Sequence, residues 1–245
     1  MVNIVIFGAT SAIASATAKI FAEKNANILL IARNEDKIGA VLSDLKTRGA
    51  NSVDSIIFDL SISNEHQNLF NELKQKMPNY DIALIAYGSL GDQKEGEEHF
   101  DSFQKEFETN FMSVVSLLTF LANDLSKRKQ GTIAVISSVA GDRGRQSNYI
   151  YGAAKGALTL VLQGLRNRLF ADNVNILTIK PGFVDSPMTA NVKKNSLFVQ
   201  PDVVAKEIYL AIEKKKDVIY VPWFWKYIMM IIKLIPEFIF KRLKL

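Results

Sequence analysis

The feature that most constrains the fold is an alternation of short, nearly continuous apolar runs with longer segments of helical period. Runs at 2–7, 27–32, 52–58, 81–86, 131–137, 174–180 and 217–221 alternate with predicted helices over 12–24, 35–48, 64–76, 100–127, 148–171 and 201–215. Strands that lack polar alternation are buried on both faces, as in a parallel sheet covered by helices. Right-handed crossovers then give an α/β architecture, a single doubly wound Rossmann-type parallel sheet of about seven strands. No repeat or linker interrupts the chain before residue 222, so one catalytic domain is expected over 1–221, followed by a separate tail over 222–245. The polar run 93–98 is expected as part of a solvated loop over 87–98. Leu42, Leu45, Leu158 and Leu162 have the spacing of core or interface helix faces and receive no functional role.

Composition narrows the chemistry. At 245 residues the chain is long enough for a sizeable core, and 48% apolar against 22% charged residues is a globular balance. The absence of cysteine excludes disulfides, thiolate zinc sites and cysteine nucleophiles. The two histidines, His66 and His99, have polar sequence neighbours and are expected at the surface, so neither a metal site nor a serine–histidine triad is expected. The apolar run 1–7 stops at Gly8, too short for a secretory signal, and a cytoplasmic location is expected. The net charge of +5 is uneven. Residues 214–245 hold eight Lys/Arg against Asp217 and Glu237, a net +6, which leaves about −1 for 1–213. A near-neutral domain gives no support to nucleic-acid binding.

Ligands of such sheets sit beyond the carboxyl ends of the strands, near the point where strand order reverses. The first strand-to-helix turn is Gly8-Ala9-Thr10-Ser11-Ala12-Ile13-Ala14. Gly8 permits a tight turn, and the helix N-terminus behind it can hold a diphosphate through free N–H groups. Arg33 closes the second run, where a carboxylate would favour the ribose 2′-hydroxyl of NAD and an arginine favours the 2′-phosphate of NADP, so NADP(H) is the expected cofactor with NAD(H) as alternative. Asp59 and Leu60 end the third run, and Asp59 can accept from an adenine amino group; Ala86, Tyr87 and Gly88 place small residues beside the adenosine. Ser137-Ser138 ends the fifth run, Tyr151 follows Ser138 by thirteen residues, and Lys155 lies one helical turn beyond Tyr151. A phenol beside a fixed ammonium can act as an acid/base near neutrality; bringing its pKa from about 10 to about 7 takes roughly 4 kcal/mol of phenolate stabilisation.

Together these residues resemble the short-chain dehydrogenase/reductase family over 1–221. The first turn resembles its TGxxxGxG motif, with Ala12 and Ala14 where glycines are usual, and Ala86-Tyr87-Gly88 resembles a degraded NNAG element. Asn110 falls where the family keeps a helix-embedded asparagine, Ser138, Tyr151 and Lys155 match its serine and YxxxK, and Pro181-Gly182-Phe183-Val184-Asp185-Ser186 resembles PGxVxT. Tyr149 has the wrong spacing to Lys155 for that role. The resemblance implies a hydride-transfer enzyme acting on a carbonyl or secondary alcohol, with Tyr151 as proton donor or acceptor. It implies that Ser138 bonds the reacting oxygen, that Lys155 holds the nicotinamide ribose and depresses the Tyr151 pKa, and that Asn110 keeps a relay water. Val184 and Ser186, beyond Pro181-Gly182, would bind the carboxamide. A homodimer or homotetramer is expected.

The tail reads Pro-Trp-Phe-Trp-Lys-Tyr-Ile-Met-Met-Ile-Ile-Lys-Leu-Ile-Pro-Glu-Phe-Ile-Phe-Lys-Arg-Leu-Lys-Leu. Its longest uncharged stretch after Lys226 is six residues, 227–232, far below the roughly 20 needed to span a bilayer. On a helical wheel Lys226, Lys233, Glu237, Lys241 and Lys244 form one stripe beside a wide apolar surface, the pattern of one or two helices lying in a membrane interface. Peripheral attachment to the inner face of the cytoplasmic membrane is therefore expected, with a dimerisation arm or a lid on its own domain as the alternative. Through Ala86-Tyr87-Gly88-Ser89-Leu90-Gly91-Asp92, the Lys180-Pro181-Gly182-Phe183-Val184 run and this tail together, the chain is similar to bacterial reductases of polyprenyl-phosphate-linked keto-pentose, the reductase half of an epimerisation on decaprenyl-phosphoryl ribose. That similarity implies a lipid-linked carbonyl substrate, with Lys193 and Lys194 in the loop 187–199 either near a phosphate or simply solvated. Two other readings compete: a dehydrogenase of a small soluble carbonyl whose tail makes an oligomer, and a cofactor-sensing or scaffold protein.

Overall fold

The computed structural model describes residues 1–243. Through the first half of the chain, β1 (Asn3–Phe7), α1 (Ala12–Glu23), β2 (Asn27–Ala32), α2 (Glu35–Thr47), β3 (Ser52–Ile57), α3 (His66–Lys76) and β4 (Ile82–Ile85) alternate as expected. Three helical segments follow, α4 (Gln93–Glu98), α5 (Phe100–Phe107) and α6 (Ser113–Arg128), with a π turn over Glu108–Met112 between the last two. The chain continues through β5 (Gly131–Ile136), a 3₁₀ turn (Val139–Asp142), α7 (Tyr149–Leu169), β6 (Val174–Pro181), α8 (Pro201–Glu213) and β7 (Val218–Val221). It ends with α9 (Trp225–Leu234) and α10 (Glu237–Phe240).

All seven strands pair in parallel in the order β3-β2-β1-β4-β5-β6-β7. Side chains of the inner strands alternate between two cores. Ile4, Ile6, Ile28, Leu30 and Leu84 pack with Ala14, Phe21 and Ile208 on one face. Val5, Phe7, Leu29, Ile31 and Ile85 pack with Leu73, Leu121 and Leu158 on the other. Double-sided burial explains why the strands read as unbroken apolar runs, and each fully buried Leu or Ile contributes about 2 kcal/mol.

Three expectations are corrected. Residues 93–98 form α4 rather than a loop, because Asp92 Oδ1 accepts from the N–H groups of Lys94 (2.9 Å) and Glu95 (3.2 Å) and Gly96 seats against Ile150 of α7. His66 is fully buried rather than at the surface. Its Nδ1 lies 3.0 Å from Ser116 Oγ and its Nε2 3.1 Å from the Leu60 carbonyl, and burial lowers its pKa. The tail's charged stripe does not run along one helix, because Ile235 is extended and Pro236 starts a second one. Glu237 turns back to Arg143 while Lys226 and Lys233 face outward, and Lys244 lies outside the described residues. Leu45, Leu158 and Leu162 are core residues, and Leu42 packs at the core edge.

Candidate active site

Strand order reverses between β1 and β4, and the loops leaving these strands meet there. Gly8 has φ +82°, and a Cβ on it would lie 2.6 Å from Tyr87 Cβ, so only glycine lets the two loops close on each other. Gly8 and Ala9 donate to the Ile31 carbonyl (2.8 and 3.1 Å), Thr10 completes the turn, and Ser11 Oγ caps α1 by accepting from Ala14 N–H (3.3 Å). The first-turn N–H groups of Ala12 and Ile13 have no intrahelical acceptor and are donors for a diphosphate.

At the far edge, Arg33 Nη1 lies 3.5 Å from Asp59 Oδ2. The Ser61 N–H, then its hydroxyl and Arg33, hold the Asp59 carboxyl below the usual range. Leu60 presents its side chain to the core and its carbonyl to His66, which leaves only its backbone N–H for a ligand. Ala86 is buried, and the Tyr87 hydroxyl lies 3.0 Å from Ser113 Oγ inside the protein.

The catalytic candidates converge at the end of β5. The two serines divide the work: Ser137 Oγ donates to the Lys155 carbonyl (3.1 Å) and lies 2.8 Å from Thr159 Oγ1, which locks β5 to α7. Ser138 Oγ accepts from Ala140 N–H (3.1 Å) and acts on the Tyr151 phenol, whose pKa it lowers. The backbones are in contact here, since a Cβ on Gly152 would lie 2.8 Å from the Ala140 carbonyl and one on Gly141 2.7 Å from Gly156 N. Such contact fixes Ser138 relative to Tyr151. Lys155 Nζ lies 5.8 Å from the Tyr151 ring centroid and donates to the Ile136 carbonyl (3.1 Å). Tyr149, by contrast, is exposed at the start of the helix.

Burial pushes the Tyr151 phenol up to about 12, against the Ser138 hydrogen bond, and the Glu106 charge adds to the rise. Burial also pulls Lys155 down to about 8, with Glu106 opposing. In the protein alone, desolvation at the Tyr151 phenol outweighs the Ser138 hydrogen bond.

Asn110 sits in the π turn, fully buried, with Nδ2 donating to Glu106 Oε1 (2.6 Å) and to the Ser89 carbonyl (3.0 Å). A Cβ on Gly88 would lie 2.5 Å from Asn110 Oδ1 and 3.5 Å from Lys155 Nζ, so these two groups flank one glycine. Glu106 is a site residue the sequence reading missed; its i, i+4 spacing to Asn110 was the available signal.

The loop after β6 forms the opposite wall. Gly182 N–H donates to the Val221 carbonyl (2.9 Å), and Val184 is buried, bridged to Val199. The Ser186 N–H donates to Thr189 Oγ1 (3.2 Å), and Lys194 is paired with Asp185 (2.7 Å). The tail completes this wall: Trp225 and Met229 are buried against Val139, Phe183 and Leu197. Arg143, just past the 3₁₀ turn, donates to the carbonyls of Ile232 and Ile235 (2.6 Å each), pairs with Glu237 (3.0 Å) and stacks 3.7 Å over Phe240.

This donor set fits a nicotinamide dinucleotide. Gly8 to Ile13 would hold its diphosphate and Arg33 with Asp59 its adenosine. Lys155, whose ammonium has N–H groups beyond the one given to Ile136, would hold its ribose with Tyr151. The cradle at Gly8 and Gly88 is closed to any side chain. When bound, such a group supplies or accepts the hydride.

Comparisons with known proteins agree. The family model described as short chain dehydrogenase matches residues 2–197. An uncharacterized oxidoreductase of Mycobacterium tuberculosis is 33% identical over 240 residues, 98% of this chain and 96% of that protein. Carbonyl reductase family member 4 of Xenopus laevis is 25% identical over 216 residues, 85% of this chain and 89% of that protein. Among solved structures, a short-chain dehydrogenase from Sphingobium yanoikuyae in complex with NADPH shares the fold, with TM-score 0.83 at 17% identity over 97% of both chains. With the family model covering most of its length, the chain belongs to the short-chain dehydrogenase/reductase family, oxidoreductases that act between CH–OH and C=O with a nicotinamide cofactor.

Proposed function

We propose that this protein is an NADPH-dependent reductase of a lipophilic, lipid-linked carbonyl such as a keto-sugar, working at a membrane surface. Tyr151 gives its proton to the carbonyl oxygen as hydride reaches the carbon, and Ser138 bonds that oxygen and stabilises the developing alkoxide. Lys155 fixes the ribose and places positive charge beside the phenol. Arg33 at the end of β2 supports NADPH, the cofactor named with the Sphingobium yanoikuyae structure, and the Xenopus laevis relative is named a carbonyl reductase.

The observation that carries the membrane reading is that α9 has two apolar faces. Trp225, Ile228, Met229 and Ile232 pack on the site wall. On the opposite side Tyr227, Met230, Ile231 and Leu234 are 48–75% exposed, flanked by exposed Trp223, and Lys226 and Lys233 lie two turns apart along one border. No helix among the described residues is long and apolar enough to cross a membrane, so this geometry supports lying in an interface. The inner leaflet supplies anionic headgroups for the tail's lysines.

Liposome flotation of the full chain against Met230→Glu/Leu234→Glu tests the membrane reading, because both substitutions leave the docked face intact. Binding to anionic vesicles that the double variant loses is the expected result; equal partitioning of both refutes it. Homodimers or homotetramers would form through exposed Met112 of the π turn, Leu160 of α7 and Phe170 just past the end of α7. A tail that instead pairs two copies would show as a mass change in the double variant without liposome binding by either.

A further inference from the structure

We infer that Glu106 is a positioning residue of the hydride-transfer site: a buried carboxylate that orients the Asn110 amide, whose Oδ1 flanks Gly88 together with Lys155 Nζ. The inference rests on the roles proposed above for Tyr151 and Lys155. Glu106 lies near the end of α5, one turn before Asn110, and is only 6% exposed. Both carboxylate oxygens are engaged. Oε1 accepts from Asn110 Nδ2 (2.6 Å) and Oε2 from Ser89 Oγ (2.9 Å).

Burying an unpaired carboxylate is costly, and one with a hydrogen-bond donor on each oxygen is a built arrangement rather than a stray surface acid. The backbone makes room for it. Gly91 has φ +63°, and a Cβ there would lie 2.7 Å from Glu106 Oε2. With Nδ2 held by Glu106 and the Ser89 carbonyl, Asn110 presents Oδ1 to Gly88, beside Lys155 Nζ. The carboxylate therefore fixes which end of the amide faces the lysine.

The groups facing Glu106 are few. On α7 the nearest charged group is approached through Asn110, whose Oδ1 and Lys155 Nζ flank Gly88, and the Glu106 charge acts on both Lys155 and Tyr151. From the loop after β4 it meets the Ser89 hydroxyl and the Gly91 backbone, and from the π turn Asn110. The carboxylate of Glu95 in α4 is turned to Ser102. Desolvation raises the Glu106 pKa, and Ser89, Asn110 and the Lys155 charge lower it. Negative charge at this point favours the protonated forms of both Lys155 and Tyr151.

Glu106→Gln keeps the shape and removes the charge. Its pH–kcat profile should move to lower pH on the basic limb by about one unit, with the NADPH Kd at neutral pH unchanged within about twofold. The Tyr151 phenolate absorbance, isolated in the cofactor-free protein as the difference from a Tyr151→Phe partner, should move the same way. Ser89→Ala, which removes one donor and leaves the charged carboxylate in place, should keep the basic limb within about 0.3 unit of the parent. If both variants lower kcat equally at every pH and neither the basic limb nor the phenolate transition moves, Glu106 is only a packing residue and the inference fails. If Tyr151→Phe retains full turnover, the catalytic reading itself fails, which separates the two outcomes.

Discussion

Gly182→Ala probes the contact that joins the tail to the site. A methyl at this position would lie 1.9 Å from Trp225 Nε1, 2.2 Å from Cε2 and 2.5 Å from Cδ1, so the indole has to move by more than an ångström. It has no free direction: the ring is 4% exposed, edge-on to Phe183 at 5.5 Å, and packed in one cluster with Val139 and Met229. Deleting a buried Trp side chain costs about 3–5 kcal/mol, and a displaced ring that recovers some contact elsewhere sets the expectation near 3 kcal/mol. With an unfolding entropy of about 2.1 cal/mol/K per residue, 245 residues translate this into a fall in Tm of about 6 °C. Trp223 and Trp225 are the only tryptophans, so a Trp223→Phe background makes Trp225 the sole reporter, and its emission should shift to the red in Gly182→Ala. Adding Gly182→Ala to a Trp225→Ala background should cost less than about 1 kcal/mol, because the obstructed ring is gone. A Tm within about 1 °C of the parent together with unchanged emission would refute the docked geometry, as would full additivity of the two substitutions.

Two further substitutions test the electrostatics. Lys155 is lowered from 10.5 to about 8 by burial, so between those values the unfolded chain binds more protons than the folded one and stability rises with pH across that window. Below about pH 8 the charged ammonium costs roughly 3 kcal/mol. Lys155→Met, which also loses the bond to Ile136, should be about 2 kcal/mol more stable than the parent in urea at pH 7, and the gain should fade toward pH 10; a constant difference would contradict the buried-ammonium account. Arg33→Ala should weaken NADPH binding about tenfold and leave NADH nearly unchanged, read by cofactor fluorescence titration, and equal losses for both cofactors would remove the 2′-phosphate role.

What the sequence made legible was whatever depends on local period. Strands buried on both sides leave unbroken apolar runs, and Tyr151 with Lys155 needs only one helical turn to share a face. What stayed hidden depends on partners far along the chain. His66 has polar neighbours in sequence, yet Ser116, fifty residues away, and the Leu60 carbonyl take its ring nitrogens inside the protein. The six residues of α4 carry no apolar period; an Asp92 cap and a seat against Ile150 make them helical. Glu106 reads as one more acid on a charged helix until Ser89 and Asn110 close around it.

The tail shows the same limit most sharply. A helix apolar on nearly all sides with lysines along one border has the same sequence whether one apolar face is exposed or two are divided between different partners. The division is decided by Gly182, whose missing side chain admits the Trp225 ring, and by Arg143, which takes the carbonyls at the end of α9. Both lie directly beside catalytic elements: Gly182 at the end of β6, Arg143 just past the 3₁₀ turn that follows Ser138. Any force on the outer face of α9 is therefore transmitted to Phe183 and Val139 within one layer of packed side chains. An interface that holds Tyr227, Ile231 and Leu234 would hold the wall of the site in the same act, which ties the place where the enzyme sits to the shape of the substrate it can admit.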